Sequence, residues 1–208
     1  MKPLLRLTAC AVVLCASRSH AVPSPANSSI PAHMLLVGRA GDLADTTYGA
    51  FTVVVRDAAN NPVANSTVEV RILNCPGARL SSDSYDPPST IRCGTAGVLQ
   101  TTNALGEARI ALVGGGTPGS PPGTGPCVQV FASGVILGTA SLAYPDLDGS
   151  GGLGTNDISL WLGDFALGEP IGRSDFDGDG RLDASDLSLW LGIWGAAHST
   201  QSATSYCP

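Results

Sequence analysis

The residues of this chain best suited to chemistry are two sets of carboxylates. Asp146-Leu-Asp-Gly-Ser-Gly-Gly-Leu-Gly-Thr-Asn-Asp157 and Asp175-Phe-Asp-Gly-Asp-Gly-Arg-Leu-Asp-Ala-Ser-Asp186 are twelve-residue segments that start 29 residues apart. Each carries Asp at positions 1, 3 and 12 and glycine at position 6. Oxygens at positions 1, 3, 5, 7, 9 and 12 of such a loop surround a hard cation such as calcium, and the glycine permits the sharp turn between them. In the second segment Asp175, Asp177 and Asp179 offer side chains, Arg181 its backbone carbonyl, Asp183 a direct or water-mediated contact, and Asp186 closes the shell. In the first, the corresponding donors are Asp146, Asp148, Ser150, the Gly152 carbonyl and Asp157. Two calcium sites are therefore expected. The second should be the tighter, because it has more carboxylates, whereas glycines at 149, 151, 152 and 154 raise the entropy lost on ordering the first. Bound cations would offset the repulsion among the carboxylates, so binding and folding are expected to be coupled, with residues 146–195 largely disordered without metal.

Each loop runs into the same apolar segment, Asp157-Ile-Ser-Leu-Trp-Leu-Gly163 and Asp186-Leu-Ser-Leu-Trp-Leu-Gly192, which makes the repeat a loop followed by a helix. A lone Asp-Gly-Asp-Gly is an ordinary surface turn; two copies in register with matching helices are not. Trp161 with Ile158, Leu162 and Phe165, and Trp190 with Leu187, Leu191 and Trp194, have the spacing of a buried helical stripe. This favours core over a sugar-stacking pair, with Trp194, nearest the end, the most exposed of the three. Ten of the seventeen acidic residues lie between 146 and 195, against two arginines, so the net charge of −6 belongs to this region alone.

Upstream the character changes. Lys2 and Arg6, the apolar run from Ala9 to Ala16 and Ser19-His-Ala21 read as an export signal over residues 1–21, cleaved before Val22. The run is too short to span a bilayer, so no membrane insertion is expected. Residues 22–32, with three prolines, read as a flexible lead-in. From 33 to 144 short β-branched runs alternate with turn residues. Ala50-Phe-Thr-Val-Val-Val-Arg56 and Thr67-Val-Glu-Val-Arg-Ile-Leu73 are the clearest strands, and Asp57-Ala-Ala-Asn-Asn-Pro-Val63 has the composition of a hairpin-like connection between them. Further strands are expected at 33–38, 98–101, 108–113, 128–132 and 135–143, with a loop from Gly114 to Pro126. About seven short strands over this length suggest a mainly β fold, an antiparallel β-sandwich. The processed chain keeps Cys75, Cys93, Cys127 and Cys207, an even number with three pairings open. Cys75 and Cys93 bracket one polar loop, which favours Cys75–Cys93 and Cys127–Cys207. No Cys-x-x-Cys unit supports zinc.

Two resemblances follow. Val55-x-Asp57-x-x-x-Asn61-Pro62-Val63, Val68-x-Val70 and Thr101-Thr-Asn103-x-x-Gly106-x-Ala108 resemble the bacterial immunoglobulin-like domains of the invasin and intimin type. This implies an immunoglobulin-like sandwich acting as spacer or display platform, without catalysis. The repeat at 146–195, each EF-hand-like loop ending in Asp and followed by a single helix, resembles a type I dockerin. The resemblance implies two calcium ions and a small antiparallel helical pair. It further implies a cohesin-like protein partner, met at loop positions 10 and 11, here Thr155, Asn156, Ala184 and Ser185.

Catalysis is not expected. Beyond the export signal there is no Gly-x-Ser-x-Gly elbow and no phosphate loop, and only His33 and His198 remain. The carboxylates sit in loops suited to staying ionised around a cation. With one lysine in the chain and a pI near 4.8, nucleic acid is excluded as a partner. The expected protein is thus secreted or held at the cell surface and non-catalytic. Its helical module would mediate calcium-dependent protein attachment, and residues 196–208 would form a tail. Two alternatives stay open: a calcium module that only caps and stabilises a structural or adhesive β protein, and a carbohydrate-binding or polysaccharide-degradation accessory protein.

Overall fold

The computed structural model describes residues 21–40, 43–83, 86, 89–119, 125–168, 172–195 and 205–208. The segment expected to be an export signal, apart from Ala21, together with Tyr85, His198 and most of the C-terminal tail, lies outside the described residues. No described helix is long and apolar enough to cross a membrane.

The chain is mainly β. Its strands are β1 (His33–Val37), β2 (Arg39–Ala40), β3 (Leu43–Ala44), β4 (Ala50–Val54), β5 (Thr67–Ile72), β6 (Arg79–Leu80), β7 (Thr90–Arg92), β8 (Gly97–Thr101), β9 (Glu107–Gly115), β10 (Val128–Ala132) and β11 (Val135–Ala143). The helices are α1 (Thr46–Gly49), α2 (Thr155–Leu167) and α3 (Ala184–Gly195). One group of strands is antiparallel in the order β11-β10-β5-β8-β7, and a second pairs β9 with β4 and β6. β1 joins them. Its first residues, His33–Leu35, lie parallel to β11, and its last, Leu36 and Val37, lie parallel to β9. The purely antiparallel expectation is corrected at this strand, since the first long strand runs the same way as the two it bridges.

Burial explains the pattern. Val68, Val70 and Ile72 of β5, Val128 and Val130 of β10, Val53 of β4, and Ile110 and Leu112 of β9 all bury into one cluster with Leu36 of β1. β5 alternates, with Glu69 beside Arg71 (2.6 Å) on the face opposite Val68, Val70 and Ile72. The connection at 57–63 closes as a local hairpin, with Arg56 bridging Pro62 and the Val63 amide donating to Val55 O (3.0 Å), but β4 and β5 on either side do not pair with each other: β4 lies beside β9, and β5 beside β10 and β8. The turn itself is tight, with the Asp57 carboxylate accepting from the Ala59 and Asn61 amides (2.9 and 2.8 Å). The loop expected from Gly114 begins two residues late, because Gly114 and Gly115 finish β9 against Leu80 and Arg79 of β6.

The disulfides are Cys75–Cys127 and Cys93–Cys207, which corrects the expected Cys75–Cys93 and Cys127–Cys207. Ile72 is paired with Val128, so the end of β5 and the start of β10 lie side by side and place Cys75 next to Cys127. The chain end returns to β6, where Ser81 bridges Tyr206 and the Cys207 amide donates to Leu80 O (2.8 Å).

Candidate metal centre

Both acidic segments fold into the same loop. At position 1, the Asp146 carboxylate accepts from the Ser150 and Gly151 amides (both 3.1 Å), and that of Asp175 from the Gly178 and Gly180 amides (2.9 and 3.0 Å). At position 12, Asp157 accepts from the Asp148 and Gly154 amides (3.0 and 2.7 Å). Its equivalent, Asp186, accepts from Phe176, Asp177 and Asp183 (2.7, 3.3 and 2.9 Å). Positions 1 and 12 thus clamp opposite ends of each loop before any ion is considered. The turns need left-handed backbone at positions 4 and 6, and all four residues there are glycine: Gly149 (φ 67), Gly151 (φ 86), Gly178 (φ 75) and Gly180 (φ 84).

In each loop three carboxylates converge. Ligand atoms of Asp146, Asp148 and Asp157 lie within 4.8 Å of one another, and so do those of Asp175, Asp177 and Asp186. The donors are oxygen only, which fits a hard divalent cation and excludes the sulfur and imidazole ligands that softer metals prefer. Asp179 and Asp183 turn instead to local amides, Asp179 accepting from Arg181 (2.8 Å) and Asp183 from Ser185 (2.7 Å). Ser150 donates its hydroxyl to the Gly152 carbonyl (3.2 Å). Of the expected ligands, the structure thus brings together the three carboxylates of each loop, while Asp179, Asp183 and Ser150 are engaged in local hydrogen bonds.

Burial raises the pKa of Asp157, Asp175 and Asp186 above the usual carboxylate range, against the pull of the amides they accept from. Asp148 goes the other way: burial raises it, but hydrogen bonds from Ser150 and Asn156 outweigh that and lower it. Buried carboxylates pushed toward protonation within 4.8 Å of one another are a liability that a divalent cation relieves.

The helices then tie the loops to the sheet. The Trp190 indole donates to Pro145 O (3.1 Å) and that of Trp161 to Ser174 O (3.2 Å), so each helix is fastened to the chain entering the other loop. Both indoles are buried and Trp194 is half exposed, but the expected stripes are corrected beyond the two tryptophans: Leu162, Phe165 and Leu191 are exposed, and Ile158 and Leu187 only partly buried. The burial of the two indoles removes the sugar-stacking pair. Leu147, Trp161, Phe176, Trp190 and Ile193 belong to the same apolar cluster as the strands. On α3, Gly192 leaves room for Tyr48, whose hydroxyl would lie 3.2 Å from a Cβ at that position.

Several residues of the site are absent from any reading of the loops alone. A Cβ on Gly178 would stand 2.3 Å from the His33 ring, and one on Gly149 would stand 2.3 Å from Gly116 O, so both position-4 glycines rest directly on the β structure. Gly116 donates its amide to Asp146 O (2.6 Å). Arg79 donates to Gly116 O (2.9 Å) and Gly149 O (3.2 Å). Arg173 forks onto buried Asp164 (2.8 and 2.7 Å), while the Tyr144 phenol, its pKa pushed up to about 12 by burial, donates to Pro76 O (2.9 Å). The Gly114-Gly115-Gly116 triplet was the one sequence signal for this contact, since glycine at a strand end marks close backbone approach. Thr155, Asn156, Ala184 and Ser185 are all exposed at the starts of α2 and α3.

No family model matches the chain, and no curated protein and no solved structure matches it.

Proposed function

We propose that this is an exported, non-catalytic calcium-binding protein in which the double acidic loop is a calcium-dependent clasp on an immunoglobulin-like β-sandwich. The observation that carries this reading is the docking of both loops by their position-4 glycines, Gly149 on Gly116 and Gly178 on His33. A loop ordered by an ion on one side and seated on the sheet on the other transmits the ion's binding free energy to the whole fold. The immunoglobulin-like part is supported by the meeting of its motif residues: the Val55 amide donates to Gly106 O (2.7 Å), the Val63 amide donates to Val55 O (3.0 Å), and Asn103 Oδ1 accepts from Leu105 and Glu107. Scanning calorimetry of the mature chain with calcium and with chelator is the test. One transition that moves with calcium is expected; a calcium-insensitive main transition would refute the clasp.

A second reading, protein attachment through a dockerin-like face, is favoured by a separate observation. Thr155, Asn156, Ala184 and Ser185 are exposed together with Phe165 and Trp194, so docking the loops leaves an outer helical surface open. Under that reading, calcium-dependent capture of a surface protein is abolished by charge substitutions at Asn156 and Ser185 and unaffected by the same change at Gln129.

A further inference from the structure

The two loops are equivalent in their internal hydrogen bonds but not in what holds them from outside. The first lies on Gly114-Gly115-Gly116, the end of β9 and the residue after it, where an added side chain would displace a neighbour. A Cβ on Gly115 would stand 2.5 Å from the Asp146 carboxylate, and one on Gly116 would stand 2.5 Å from Leu147 O. Across this platform runs Arg79. Its Nε–H donates to Gly116 O (2.9 Å) and a terminal N–H to Gly149 O (3.2 Å). Behind the guanidinium stands the Tyr206 ring, 4.0 Å away. Tyr206 is fixed in turn by its bridge to Ser81, by the Cys207 amide on Leu80 O, and by the Cys93–Cys207 disulfide.

We propose that Arg79 is a positioning residue that sets the calcium affinity of the first loop from outside it, held in place by the Tyr206 ring of the C-terminal tail. The proposal rests on the calcium reading above. Gly149 lies between Asp148 and Ser150, the donors at positions 3 and 5, and pinning its carbonyl fixes the spacing between them. That restraint acts where the loop most needs it, because the glycines at 149, 151, 152 and 154 otherwise cost entropy when the ion orders them. A planar, forked guanidinium can hold two carbonyls on different segments at once, which an ammonium does poorly. The ring contact adds a cation–π attraction that keeps the fork aimed. In the second loop the same position rests on an imidazole, His33, so Arg79 has no bearing there. Simple Coulomb repulsion between the guanidinium and a nearby cation predicts the opposite sign, and this makes the proposal decidable.

The experiment is a calcium chloride titration of the full mature chain followed by two-dimensional amide NMR, with Gly151 and Gly180 as separate reporters of the two loops. Arg79→Gln is expected to weaken the first loop about tenfold or more, the usual effect of losing an outer partner of a metal site. The second loop should stay within about twofold, as for an uncoupled site. Arg79→Lys should recover only part of the loss, Tyr206→Ala should weaken the first loop in the same direction, and Tyr206→Phe, which keeps the ring, should not. A first loop that binds equally well or more tightly in Arg79→Gln overturns the proposal, as does an equal loss in both loops. If Arg79→Gln does not fold, the Tyr206→Ala and Tyr206→Phe pair decides the question. Wild-type amides that ignore calcium would instead remove the calcium reading itself.

Discussion

At the scale of single residues the loops separate two costs that are usually confounded. Gly178 and Gly180 both adopt left-handed backbone, but only Gly178 is packed against a neighbour, the His33 ring. Gly180→Ala should cost about 1–2 kcal/mol from the backbone alone. Gly178→Ala should cost clearly more, because its methyl group must also displace the ring; chemical denaturation in saturating calcium measures both. Asp186→Asn leaves one oxygen where two accept amides, and isothermal titration should then find one calcium site in place of two. The ligand carboxylates were legible from sequence because their spacing is local and repeats. His33 and Arg79 were not, and the glycine triplet ending in Gly116 signalled close approach without its partner, since nothing local in a strand states which distant loop will lie on it.

The elements carry their own tests. On β5, the Arg71 guanidinium holds the Glu69 carboxyl below the usual carboxylate range despite partial burial, with Thr95 also donating to it (3.1 Å). A carboxyl with a lowered folded pKa contributes stability above its unfolded value, and that contribution is lost as pH falls through the folded one. Glu69→Gln should therefore lower stability at neutral pH and converge with wild type in strong acid, as read from thermal melts across pH. β5 also explains the disulfides. Nearness in sequence favoured Cys75 with Cys93, but the partner of a cysteine at a strand end is set by the neighbouring strand, and β5 runs beside β10. Non-reducing peptide mapping should recover Cys75–Cys127 and Cys93–Cys207, and replacing either pair with serine should cost about 3–5 kcal/mol. The long strands β1, β4, β5, β9, β10 and β11 were readable because alternation and β-branching mark half-buried strands. The two-residue β2, β3 and β6 were not, for they are too short to show a period and exist only through their partners.

At the scale of the molecule, the strands and the acidic loop-helix region share one apolar cluster, so separate melting of that region is not expected. Calcium at about one hundred times its dissociation constant adds about 2.7 kcal/mol per site. For a chain of this length that corresponds to roughly 5–10 °C in the melting temperature per site. Differential scanning calorimetry with calcium and with chelator should show that displacement in a single peak. The disorder expected of residues 146–195 without metal then becomes a destabilisation of the whole, because Trp161, Trp190 and Ile193 cannot leave without opening the strand core.

The way β1 is shared between the two strand groups also governs when the chain can fold. His33–Leu35 finds its partner in β11 and Leu36–Val37 in β9, so the earliest long strand to emerge waits for partners at residue 112 and beyond. Pairings so distant give a high contact order and slow folding, on the millisecond-to-second scale. A nascent chain of this sequence stays open until most of it exists. Under the export proposed above, that delay is an asset: β1 cannot close the fold before the chain has been threaded through a narrow pore.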